Sequence, residues 1–144
     1  MTSSAEQNLA SLGITLPEAP SPAANYVPYV IVGDMVYVSG QVPFVNGGLQ
    51  VTGKVGGTVT IEQAAGEARI CAINLIAQLK AACGGDLSRV VQVVKLGGFV
   101  ACTADFTDQP EVMNGASNLM VEVFGDAGRH ARFAVGTNAL PRGT

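Results

Sequence analysis

A chain of 144 residues is sized for one domain with a core of its own, needing neither disulfides nor metals to hold it. Apolar residues make up 48% and charged residues only 13%, about half the usual charged share, so part of the surface is expected to lie against another subunit rather than water. Eight basic against eleven acidic residues give a net charge of −3 with no block of either sign, which argues against a dedicated nucleic-acid module, whose affinity rests on a track of phosphate-neutralising Lys and Arg.

Residues 1–25 read as an N-terminal arm, with a short helix near Ala5 to Leu12 and an extended stretch punctuated by Pro17, Pro20 and Pro22. No basic segment followed by an apolar run opens the chain, and no stretch approaches about eighteen uninterrupted apolar residues. No membrane partner is expected, and the compartment is read as cytoplasmic.

The single domain is placed at residues 26–144. Tyr26 to Val32 and Met35 to Ser39 are β-branched and aromatic runs separated by Gly33-Asp34, the spacing of a tight hairpin. Ser39-Gly40 is a natural strand exit, where a turn-capping hydroxyl is the commoner outcome and a functional one the sharper. Asn46-Gly47-Gly48 and the glycines up to Gly57 mark a loop with room for one short strand. Thr60-Ile61-Glu62-Gln63 is a capping-box pattern, and the helix after it carries Ala64, Ala68, Cys71, Leu75, Leu79 and Ala82 on one face until Gly84-Gly85 ends it.

Val90 to Cys102 is the most strand-like run, apolar on both faces apart from Lys95, so one face is assigned to helices and the other to a further covering. Asp108, Pro110 and Glu111 open a second long helix with Val112, Ala116, Leu119 and Val123 inward and Asn114 off that stripe. The three cysteines, Cys71, Cys83 and Cys102, have no metal-ligand spacing, and the single His130 cannot complete a zinc set. They read as small core residues of a reducing compartment, and no metal, nucleotide or flavin motif is present.

The last run, G-R-H-A-R-F-A-V-G-T-N-A-L-P, is a strand by its period of two. Arg132 shares a face with Ala134, Gly136, Asn138 and Leu140, so its planar fork of donors is expected to look into open space and to suit a carboxylate. The plainer alternative is an arginine whose stem covers apolar surface with its head in water. The order β-β-α-β-α-β then gives an α+β sandwich, one mixed sheet with two helices on one face.

Four features together resemble the reactive intermediate deaminase family, also called Rid or YjgF and labelled endoribonuclease L-PSP: Tyr26 seven residues before the hairpin glycine Gly33, V-Y-V-S-G-Q-V-P, the D-F turn before an Asn-bearing helix, and R-F-A-V-G-T-N-A-L-P. The resemblance covers about Tyr26 to Pro141. It implies a chorismate-mutase-like fold, a homotrimer whose sheets form a central barrel, a site in each inter-subunit cleft, and no cofactor. It also implies hydrolysis of small enamines or imines of the 2-aminoacrylate type to 2-keto acids and ammonia. Residue by residue, the family's carboxylate arginine matches Arg132, its tyrosine Tyr26, its serine Ser39 and its helix asparagine Asn114. Arg132, Tyr26 and Ser39 are thus the implied catalytic set, and Arg132 with Asn114 the implied substrate-binding set.

This sequence departs from the pattern at Ala134, where the deaminase branch often has Cys, and at Ser117, which replaces a helix aromatic. The family's last strand, with a glutamate that activates water, would follow L-P-x-x-x, and no Glu stands there up to Thr144. Either the natural chain runs past Thr144 and supplies that strand, or the base is lacking, and for the second case the alternative function is a non-catalytic trimer that binds or senses a small carboxylate. RNA cleavage ranks last, because basic and aromatic clusters are missing.

Overall fold

The computed structural model describes residues 3–19 and 24–144. Its elements, in chain order, are helix α1 (Ala5–Ser11), the strand pair β1 (Tyr29–Val32) and β2 (Met35–Val38), and a second pair β3 (Phe44–Val45) and β4 (Gly48–Leu49). Helix α2 (Ile61–Ala82), strand β5 (Lys95–Ala101), helix α3 (Gln109–Phe124) and strand β6 (Ala131–Thr137) follow. The α+β expectation holds. Among the described residues, however, the hydrogen-bonded ladders are three separate pairs, β1 with β2, β3 with β4 and β5 with β6, rather than one continuous sheet.

Local chemistry sets most of these boundaries. In the capping box that starts α2, the Thr60 hydroxyl accepts from the Gln63 amide at 3.1 Å and the Gln63 side chain accepts from the Thr60 amide at 2.9 Å. Ser4 and Gln7 repeat the device at α1. The start of α3 differs from expectation: Asp108 precedes it, but its carboxylate caps no backbone amide and only its carbonyl receives the Glu111 amide. The expected strand from Val90 begins only at Lys95, because a short 3₁₀ turn at Leu87–Arg89 precedes it and the Val93 amide is drawn to the Ala127 carbonyl instead of a ladder. Asn46 and Gly47, both at positive φ, close the β3–β4 turn, and Asn74 of α2 ties this loop down through the Val42 and Phe44 carbonyls.

The main core lies where α1, α2 and α3 meet the inner face of β5. Ala72, Ile76, Leu119 and Val123 are completely buried, with Leu96, Met113, Ala116 and Met120 around them. On α2 the buried residues are thus Ala64, Ala72, Ile76, Ala77 and Gln78, with Ala68 half-buried beside them, a band turned round from the predicted stripe. Cys71 and Leu75 sit at its flank, because α3 as well as the sheet covers this helix.

Helix α1 packs on the domain itself. Ala5 and Leu9 join the core, the Asn8 amide donates to the Val123 carbonyl at the end of α3, and Glu6 accepts from the Leu87 amide. Part of the proline-punctuated arm, residues 20–23, lies outside the described residues.

Strands β5 and β6 are parallel, in a register that sets Leu96 beside Arg132, Gly98 beside Ala134 and Val100 beside Gly136. Leu96, Gly98 and Val100 face the helices. The opposite face carries Lys95, Phe99, Phe133 and Val135, all exposed. On the first hairpin Val30, Val32, Met35 and Tyr37 form a similar exposed apolar face, while Tyr29, Val36 and Val38 are half-buried. The β5–β6 pair is therefore sealed on its helix side and apolar and open on the other, and the first hairpin is open on one side and half-covered on the other, where Ile31 stays exposed.

Candidate functional site

Arg132 stands at the start of β6, on the side that faces α3. Its Nη1 donates to Asn114 Oδ1 at 3.0 Å and to Ser117 Oγ at 3.1 Å. Asn114 and Ser117 are one helical turn apart, and so present themselves on one edge of α3. Both hydrogens of Nη1 are used by these two bonds. Among the described residues nothing accepts from Nε or Nη2, and the residue is exposed. Those two nitrogens form one flat edge of the guanidinium, the edge that can hold a carboxylate through two parallel bonds.

The expectation of open space before Arg132 is corrected in detail. A side chain at Gly136 would meet Cys102 Sγ at 2.6 Å and Gln109 Nε2 at 2.9 Å, and Ala134 packs against the main core. The small residues of β6 admit the helix rather than a ligand. What remains open is the solvent side of the guanidinium, turned outward by its bonds to α3.

His130, two residues before Arg132, extends this arrangement. Its Nδ1 is 2.6 Å from the Gly128 carbonyl and its Nε2 is 2.9 Å from Ser117 Oγ. At the far side the Asn114 amide reaches Glu111 Oε2 at 3.5 Å, a long bond at the exposed surface. The chain of contacts thus runs from the Gly128 carbonyl through His130, Ser117 and Arg132 to Asn114 and Glu111.

Of the residues singled out from the sequence, Arg132 and Asn114 are brought together. Ser39 and Tyr26 both lie at the open end of the first hairpin, away from its turn: the Ser39 hydroxyl donates to the Val27 carbonyl at 2.7 Å, the capping outcome, and Tyr26 is largely exposed. No hydrogen bond joins either of them to Arg132 among the described residues. Ser117 and His130 had not been assigned to the site. The usable signal was their spacing, one turn from Asn114 on the helix and two residues from Arg132 on the strand.

Elsewhere, an open hollow of about 400 Å³ is lined by residues that include Lys54, Asn138, Leu140 and Arg142, and does not include Arg132. Among the described residues no three His, Cys, Asp or Glu side chains gather to hold a metal ion, and no helix is long and apolar enough to cross a membrane.

The model of the family described as "YjgF/chorismate_mutase-like, putative endoribonuclease" matches residues 6–143. The chain belongs to this family. It is 49% identical over 137 residues to Protein TCP17 of Trypanosoma cruzi, spanning 94% of this chain and 85% of that one. The crystal structure of protein Atu1372 from Agrobacterium tumefaciens, of unknown function, superposes with a TM-score of 0.89 at 48% identity, covering 97% of this chain and 85% of that one. RidA from the Antarctic bacterium Psychrobacter sp. PAMC 21119 is more distant, with a TM-score of 0.56 and 27% identity over 88% of this chain and 85% of its own. The YjgF and chorismate-mutase-like fold expected from the motifs is thereby established.

Proposed function

We propose that this member of the YjgF/RidA family hydrolyses small enamines or imines that carry a carboxylate, of the 2-aminoacrylate type, to 2-keto acids and ammonia. The observation that carries the reading is the Arg132 guanidinium, fixed through Nη1 and free along its Nε–Nη2 edge. That edge would grip the substrate carboxylate and set the adjacent carbon at a fixed distance from the protein.

The chemistry asks little beyond this. The enamine first takes a proton on carbon to give the imine, whose C=N carbon is already electrophilic. Water adds to it, forming a carbinolamine. Transfer of the hydroxyl proton to nitrogen then breaks the C–N bond, giving the keto acid and ammonia. Holding the acid and one water in reacting geometry supplies most of what catalysis requires. The Ser39 hydroxyl, whose proton is directed at Val27, keeps lone pairs with which to accept from such a water. Tyr26 and Asn114 complete the proposed set, Asn114 by holding the arginine.

We further propose a homotrimer as the working form, with residues 26–144 as its repeating domain. The exposed Val30, Val32, Met35 and Tyr37 of the first hairpin and Phe99, Phe133 and Val135 of the β5–β6 pair support this, since so many large apolar side chains open to water on two strand faces are unusual on a monomer. Assembly would let the Tyr26–Ser39 hairpin of one subunit approach Arg132 of another.

The test is the rate of 2-iminopropionate decay, generated in solution, with the intact protein and with Arg132→Ala. Saturable acceleration that falls by about 100-fold or more in kcat/KM on substitution is the expected result, from the loss of a charge-assisted pair of bonds. No acceleration by the intact chain would sink the hydrolase. A second reading, a trimer that binds small carboxylates without turning them over, would then stand. It is favoured by the lack, among the described residues, of any hydrogen bond that joins the water-orienting candidates Ser39 and Tyr26 to Arg132.

A further inference from the structure

We propose that Ser117 and His130 are positioning residues that hold Arg132 with its Nε–Nη2 edge toward the ligand, through a one-way chain of hydrogen bonds that begins at the Gly128 carbonyl. The proposal rests on reading Arg132 as a carboxylate anchor.

The direction of each bond follows from what each atom can do. A backbone carbonyl only accepts, so His130 Nδ1, 2.6 Å from the Gly128 oxygen, carries the proton of the neutral ring. Nε2 is then a bare acceptor. Ser117 Oγ, 2.9 Å away, has one hydrogen, which goes to it. With that proton committed, the serine oxygen presents only lone pairs to Arg132 Nη1 at 3.1 Å. Asn114 Oδ1 takes the other Nη1 hydrogen at 3.0 Å, its amide group turned toward Glu111. Each bond of this chain then pairs one donor with one acceptor. Reversing the histidine tautomer would set Nε2–H against Ser117, leave the hydroxyl hydrogen without this partner, and put a bare Nδ1 against a carbonyl.

A flexible, exposed arginine gains from such an arrangement. Its side chain has many rotamers, and an anchor that must first be ordered binds more weakly than one already in place. Each component is anchored by a regular element: Arg132 lies in β6 and His130 directly precedes it, Ser117 and Asn114 come from consecutive turns of α3, and Gly128 is buried in the turn between them. His130, Asn114 and Ser117 are each half-buried, so the chain from Gly128 to Ser117 is shielded on the protein side, while the guanidinium and the Asn114–Glu111 end meet solvent.

Because His130 is the single histidine of the chain, its ring nitrogens give an unobstructed NMR signal. In the ligand-free full chain, ¹⁵N-histidine spectra are expected to show the Nδ1–H tautomer, with the Nε2 resonance moving toward that of an unbonded nitrogen in Ser117→Ala. Pyruvate serves as the carboxylate probe. Ser117→Ala is expected to weaken its binding about tenfold, the scale of one bond to a charged group. Ser117→Thr, which keeps the hydroxyl, and His130→Gln, whose amide oxygen can accept in place of Nε2, are expected to stay near wild type.

An Nε2–H tautomer in the wild-type protein would overturn the proposal. So would wild-type pyruvate affinity in Ser117→Ala when Arg132→Ala has lost it, or a loss in Ser117→Ala that threonine does not repair. If the wild-type and Arg132→Ala proteins bind pyruvate alike, or neither binds, the anchor reading itself fails and takes the proposed purpose of the relay with it. The Arg132→Ala arm separates that failure from the others. Should Ser117→Ala not fold, the tautomer and the His130→Gln and Ser117→Thr affinities still decide.

Discussion

Alanine at Gly115 should destabilise the protein while alanine at Gly66, on the neighbouring helix, should stabilise it. Helices α2 and α3 come together at Gly115, where an added Cβ would lie 1.9 Å from the Ala65 carbonyl oxygen, 2.7 Å from its carbon and 3.1 Å from its Cα. A carbon and an unbonded oxygen need about 3.3 Å. Both partners are helix backbone, so no side chain can rotate aside, and the helices must separate by more than about 1 Å. Alanine gains about 1 kcal/mol over glycine in helix preference, whereas forced overpacking costs about 1–3 kcal/mol and more where backbone must move. The shift would also loosen Ile76, Ala116 and Leu119, which seal the seam. The overpacking wins, and a net loss of about 2 kcal/mol is expected. Gly66 is exposed on α2, and a Cβ there meets nothing within 4 Å. There only the preference remains, and the gain should be about 0.5–1 kcal/mol. Urea unfolding of both variants at one fixed protein concentration reads the difference as opposite shifts in midpoint with unchanged slope. If Gly115→Ala matched or exceeded the wild type, the close crossing would be refuted.

Three further outcomes follow from burial and exposure. Burial, reinforced by the negative charge of Glu67, pushes the Cys71 thiol from its ordinary 9.0 up to about 12. Native Cys71, half-buried at the flank of the core, should therefore react with thiol reagents at pH 8 more slowly than in the unfolded chain, as peptide mass spectrometry can show; equal rates in native and urea-unfolded protein would contradict this shielding. Because the unfolded thiol ionises first, its contribution to stability is intact below about pH 9 and lost as pH rises toward 12. On the open sheet face, Phe99 packs edge-on against Phe133 with ring centres 5.5 Å apart while remaining 58% exposed. Phe99→Glu should convert the proposed trimer to a smaller species in light scattering, because a carboxylate would have to be desolvated at the seam; an unchanged mass would remove this face from the assembly.

The fold was legible where the sequence signal is local. The Thr60–Gln63 capping box, the Gly33-Asp34 hairpin turn and the inward stripe of α3 each depend on residues within a turn or two, and each is found as expected. The misreadings share a different cause, namely tertiary partners. The α2 stripe is rotated because a second helix, not only a sheet, covers it. The strand expected from Val90 starts late because Val93 bonds to the turn before β6. Gly136 reads in the sequence as empty space, but is the place where Cys102 and Gln109 fit. Period and propensity say that a residue is small, and not what fills the space beside it.

The arginine site shows how one tertiary contact determines the next. Helix α3 lies against β6 with its beginning near the strand's end, since Gln109 fits at Gly136. Stepping back four residues along the strand, from Gly136 to Arg132, covers about 13 Å at roughly 3.3 Å per residue. Advancing from Gln109 along the helix at about 1.5 Å per residue reaches the turn from Asn114 to Ser117 after about 8–12 Å, and that turn is where Arg132 makes its bonds. A helix laid antiparallel along the strand, fixed at one point, therefore delivers these polar residues to the guanidinium by geometry alone. His130 follows from the same alignment, because it shares the face of Arg132 and lies one strand repeat further back. The identity of the residues remains free within that register. A serine at 117 and a histidine at 130 make it an oriented hydrogen-bonded chain, whereas apolar residues at the same two positions would leave the arginine held by Asn114 alone.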